Sequence, residues 1–202
     1  MISLNTLRLS EKIIYSTVRI EYIATDEKLH GGTGFIFEFS SMPGVYVVVS
    51  NRHVAEDSVE GGFVFNTEDG NGNLLMGQLL RFKADNFSKS WYYHPDSNVD
   101  LAMMPIGGIF NYWLKQGTKP FITRIDSSTI PNEMEWKEFH TLEDIVIVGY
   151  PDLIMDSVNN LPLSIKGATA THPNFDYDGK KRISSKCWHI SWFIRFPSFF
   201  SR

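Results

Sequence analysis

Cysteine occurs once in this 202-residue sequence, at Cys187, so no internal disulfide is open to it. Long apolar runs are missing too, and none approaches the roughly 18 residues that a membrane-spanning helix requires. Basic residues do not dominate. The 19 Lys and Arg are outnumbered by 23 Asp and Glu, for a formal net charge of −4, which argues against the basic face that nucleic-acid binding uses. Metal-ligand spacing is also absent. His140, His172 and His189 have no partners at the intervals of a zinc site. Asp69-Gly-Asn-Gly-Asn73 does not follow a calcium-loop pattern and reads as a tight turn between antiparallel strands. No cofactor, nucleic acid or membrane partner is therefore expected.

What is present is a globular composition. Hydrophobic residues make up 43% and aromatics 14%, enough for one large domain or two small packed ones. The first dozen residues are mixed and polar, unlike a secretory signal, and together with the lone cysteine they set the expectation of a cytoplasmic protein. Strand-like patterns recur. Residues 16–23 alternate with period two, and further β-branched or aromatic runs lie near 33–39, 45–50, 62–66, 77–83, 101–106, 144–149 and 161–171. A short helix or turn is expected within 6–16, a short helical turn at 55–59, and a short helix or aromatic linker at 110–116. His30 falls in a loop and is expected to sit in solvent.

Two stretches carry chemistry. In the first, Gly31-Gly-Thr-Gly-Phe-Ile-Phe-Glu-Phe turns through Pro43 and Gly44 into Val45-Tyr-Val-Val-Val-Ser-Asn-Arg-His53-Val-Ala-Glu. A histidine just past a hydrophobic strand is held by a rigid element yet faces outward, as a general base must. In the second, Trp91-Tyr-Tyr-His94-Pro-Asp96-Ser-Asn-Val-Asp100-Leu-Ala-Met-Met leads a polar loop into an apolar strand through an acid. The His-Pro-Asp tripeptide also marks chaperone J-domains, but there it lies between helices, and here the flanks are strand-like. Taken alone, His53 is a histidine at a strand end and Asp100 a turn-terminating acid.

Together these segments resemble the trypsin-like (chymotrypsin-fold) serine peptidases. In that family a Gly-Thr-Gly-Phe strand pairs with one ending in Thr/Ser-x-x-His-Val, and a His-Pro-x-x-x-Val-Asp-Leu-Ala segment supplies the triad acid. Asp144-Ile-Val-Ile-Val-Gly149-Tyr-Pro151 and the Pro173–Gly179 turn resemble parts of the family's second barrel. The resemblance covers about residues 10–182. It implies an all-β fold of two antiparallel β-barrels, with His53 as base and Asp100 as the acid that orients it. The implied partner is a peptide or protein substrate. By the same resemblance, 10–117 form the N-terminal barrel, the chain crosses over near 118–132, and 118–182 form an incomplete C-terminal barrel. Strands 144–149 and 161–171 then leave Ile145, Ile147, Leu163 and Ile165 short of the partners that would bury them.

The family's nucleophile loop, Gly-x-Ser-Gly-x-Pro, does not occur. Residues 183–202 form an aberrant tail in which Ser191 lies between Ile and Trp, Ser198 lies between Pro and Phe, and Cys187 has no flanking glycines. None of these offers the turn that leaves backbone N–H groups free for an oxyanion. Shifting the codons of residues 183–200 forward by one base forces Gly at Trp188-His189 and at Trp192-Phe193, because Trp has a single codon. One permitted reading then runs Pro-Gly-Ser-Ser-Gly-Ser-Pro. The expectation is a peptidase sequence that leaves its frame before the nucleophile, inactive as it stands. The alternative is a non-catalytic peptide-binding or scaffold protein on a degenerate peptidase fold.

Overall fold

The computed structural model describes residues 2–151 and 154–176, together with the backbone of 183–187 and 190–194. Antiparallel β-structure dominates. A short helix, α1 (Leu9–Ser16), leads into β1 (Thr17–Ala24), and β2 (Leu29–Glu38) and β3 (Tyr46–Ser50) follow as a meander. Next come α2 (Arg52–Glu56), the long hairpin β4 (Ser58–Glu68) and β5 (Leu74–Asp85), β6 (Tyr92–Tyr93) and β7 (Ala102–Pro105). The helix α3 (Gly107–Lys115) covers one end of this sheet, with Phe110 and Trp113 turned inward. All six strands expected in the first half are present, and the helix at 110–116 begins three residues early. The turn expected at 55–59 differs more. Helix α2 starts at Arg52, so His53 lies inside the helix and not ahead of it.

Hydrophobic alternation accounts for the packing. Val18 and Ile20 of β1, Ile36 of β2, Val48 of β3 and Phe63 and Phe65 of β4 meet in one core with Phe87, Trp91, Phe110 and Trp113. Phe63 is its hub, with ring centroids 5.4–6.1 Å from Phe65, Phe82, Phe87 and Trp91. Burying each such ring is worth roughly 1.5–3 kcal/mol. The Asp69–Asn73 turn behaves as its composition suggests, for Asp69 Oδ1 accepts from the amides of Asn71 and Asn73.

The ladders form two antiparallel sheets, as the all-β expectation requires, and no closed barrel is found among the described residues. Along the ladders the first sheet runs β5-β4-β1-β2-β3-β7-β6. The reason lies at β7. Its outer edge pairs with Tyr92 and Tyr93 of β6, and that edge is where β5 would have to join to complete a circle.

Beyond α3 the chain first returns to this same sheet. Strand β8 (Pro120–Phe121) pairs with β4, and β9 (Ile125–Asp126) runs parallel to the end of β2. Phe121 is buried with Leu7, Tyr15 and Leu74 in a second small core. After α4 (Glu133–Lys137), strands β10 (Asp144–Gly149) and β11 (Leu163–Thr169) open a second sheet. Its backbone order continues through β12 (Ile183–Cys187) and β13 (Ile190–Ile194).

The second sheet meets the first through a polar junction. Tyr150 is buried and gives its hydroxyl to the Asn160 carbonyl at 3.1 Å, while Asn160 Nδ2 donates to Val64 O at 3.2 Å. The Tyr150 amide donates to Thr33 Oγ1 at 2.8 Å. Gly149 is required at this point, since a Cβ there would lie 2.8 Å from Thr33 Oγ1. By contrast the sheet's own faces are thinly covered, with Val146 63% exposed and Leu163 exposed as well.

Candidate functional site

Strand register brings the two chemistry-bearing stretches together. Strands β3 and β7 pair so that Ser50 lies opposite Ala102. Asn51, Arg52 and His53 leave the end of one strand just where Asp100 and Leu101 enter the other. Ser50 fixes this end further by donating its hydroxyl to the Thr33 carbonyl at 2.9 Å.

The helix carrying His53 is seated by apolar contacts below it. Val54 and Ala55 are buried, and Val54 packs onto β2 at Gly32, where an added Cβ would come within 2.4 Å of Val54 Cγ1. The Gly-Gly-Thr-Gly run thus serves the site by absence of side chain at Gly32 and by hydrogen bonding at Thr33. Ser58, also buried, closes the helix end by donating to the Ala55 carbonyl at 2.6 Å.

Asp100 grips His53 twice. Its Oδ2 lies 2.7 Å from His53 Nδ1, and its Oδ1 accepts the His53 backbone amide at 3.0 Å. The carboxylate is largely enclosed, with its side chain 14% exposed, whereas the imidazole is 67% exposed. An ionised carboxylate only accepts, so the proton between them belongs to Nδ1, and in the neutral ring Nε2 keeps the lone pair with which it can take a proton. Among the described residues no hydroxyl or thiol is hydrogen-bonded to it. Ser198 and His189 lie outside the described residues, as do the side chains of Cys187 and Ser191.

Two further residues frame the pair and were not singled out from sequence. Asn51 donates Nδ2 to the Asp100 carbonyl at 3.2 Å and approaches Oδ2 at 3.4 Å. Arg52 ties the helix to the loop on the other side. Its Nη1 donates to His94 O at 3.3 Å, its guanidinium stands 5.2 Å from the centre of the Tyr93 ring, and Nε pairs with Glu56 at 3.1 Å. Only their polar character beside His53 could have flagged them in advance. His94 and Asp96 shape the loop itself: the Asp96 amide donates to His94 Nδ1, and Asp96 Oδ1 accepts from the Asn98 amide. That amide, aided by the Asn98 side chain, holds the Asp96 carboxyl below its ordinary range. His30 is not simply solvated, because Nε2 lies 2.9 Å from Asp26 Oδ1 and its ring stacks on Tyr22.

Among the described residues no three metal-ligating side chains gather, and no helix is long and apolar enough to cross a membrane. Neither the family models nor the curated proteins compared with the chain give a match.

Proposed function

We propose that this chain carries the base-and-acid half of a trypsin-like serine endopeptidase, with His53 as general base and Asp100 as its orienting acid. The carrying observation is the paired contact of Asp100 with both the ring and the backbone of His53. In the complete mechanism, His53 Nε2 takes the proton of a serine hydroxyl as that oxygen attacks the scissile carbonyl. The imidazolium then returns the proton to the leaving amine. Asp100 keeps the productive tautomer and stabilises the cation that forms between these steps. The trypsin-like assignment rests on the sequence segments around His53 and Asp100, and the open antiparallel sheets are compatible with it.

This sequence places no glycine-flanked serine where such a base could use it. The chain as it stands is therefore expected to hydrolyse no peptide bond. The experiment restores the alternative frame from about Arg182 onward and compares the two proteins. The restored form should cleave peptides and react with a fluorophosphonate probe, losing both in His53→Ala, and the chain as given should do neither. A folded restored protein that the probe never labels would refute the assignment.

One observation favours a second reading. The backbone of 183–187 and 190–194 continues the second sheet in register with β11, as a peptide-binding or scaffold protein would use it. Unrelated sequence in the alternative frame would favour that reading.

A further inference from the structure

Asn51 stands at the N-cap of α2, where Asn ordinarily turns its side-chain oxygen onto the amide of the second or third helical residue. It makes no such bond. Its amide group turns the other way, toward the Asp100 carbonyl at 3.2 Å and Oδ2 at 3.4 Å. The second helical amide, that of His53, is taken instead by Asp100 Oδ1 at 3.0 Å. The two residues have exchanged duties: the acid caps the helix, and the capping residue holds the acid. A break with a strong local preference of this kind is expected where function overrides local stability.

We propose that Asn51 is a positioning residue for the His53–Asp100 pair, an inference that rests on the catalytic reading of that pair. Asp100 follows a polar loop and lies two residues ahead of the β7 ladder, and its ring partner is itself exposed. The Asp100 carboxylate is held by the ring and the backbone amide of His53. Contacts from Asn51 to both the main chain and the side chain of Asp100 add to that restraint, and Arg52 steadies the far end of the loop through His94 O.

The test separates positioning from capping. Serine caps a helix about as well as asparagine but is too short to reach Asp100 as Asn51 does. In 15N-labelled protein, both Asn51→Ser and Asn51→Ala should exchange the His53 Nδ1 proton with solvent about tenfold faster than the parent chain. Asn51→Ser should meanwhile keep its melting midpoint within about 3 °C. If Asn51→Ala fails to fold, Asn51→Ser decides alone. Parent-like exchange in Asn51→Ser overturns the inference while leaving the pair intact. A parent chain with no Nδ1 proton signal sensitive to Asp100→Asn overturns the pair, and the inference with it.

Discussion

A carboxylate with two oxygens and two jobs accounts for the local chemistry. Asp100 holds the ring of His53 through one oxygen and the helix amide through the other, so the imidazole and its helix move as one body. The pocket for that helix depends on a missing side chain. In Gly32→Ala the new Cβ would meet Val54 Cγ1 at 2.4 Å, and relief requires Val54, β2 or α2 to shift. Overpacking of this kind costs about 1–3 kcal/mol, which chemical denaturation would read as a lower midpoint with an unchanged slope. His53 and Asp100 were singled out in the sequence by the resemblance of the segments around them, and the fold brings their side chains together. Asn51 and Arg52 were not singled out, since their roles follow from the register of β3 against β7 and from a diverted cap.

Between elements, the junctions are polar and therefore testable one contact at a time. At the end of β4 the Glu68 side chain is wholly enclosed, and Lys119, beside β8, brings its ammonium to 2.6 Å from Oε1. Among the described residues no other donor reaches that carboxylate, so the ion pair is its compensation. Lys119→Met should cost about 2–3 kcal/mol, somewhat less than breaking a fully buried pair, because Lys119 is half exposed and water can enter. At the other junction, burial raises the Tyr150 hydroxyl well above its ordinary 10.0, with Arg19 opposing weakly. A folded-state value above the unfolded one means a contribution that is fully present below pH 10 and lost as pH rises beyond it. Tyr150→Phe should cost about 1 kcal/mol near neutrality through the lost bond to Asn160. That gap should shrink in alkali, where only the parent chain bears the cost of keeping a buried phenol protonated. A gap constant up to pH 11 or so would remove Tyr150 from the account. None of these junctions was visible beforehand. The run around 118–132 reads as a crossover, yet Phe121 is drawn back by an apolar pocket that only the folded sheet creates.

For the molecule as a whole, the strand runs in the first half were readable because burial on one face imposes alternation, whereas barrel closure was not. Closure depends on which strand reaches the free edge of β7, and the short Tyr92–Tyr93 segment takes it. The two sheets also differ in how much apolar surface they hide. Phe63, Ile36 and Val48 are fully enclosed, while Val146 and Leu163 remain open to solvent. Hydrogen exchange should therefore show β10 and β11 opening at lower free energy than β1–β4, with early proteolytic cuts beyond about residue 131. Uniform protection along both sheets would contradict this. The chemistry of the site turns on one proton. In the neutral ring of His53, nitrogen chemical shifts should show the proton on Nδ1 and Nε2 bare, and Asp100→Asn should lose that preference. A neutral ring protonated on Nε2 in the parent chain, or a tautomer indifferent to Asp100→Asn, would contradict the assignment of His53 and Asp100 as a catalytic base and its orienting acid.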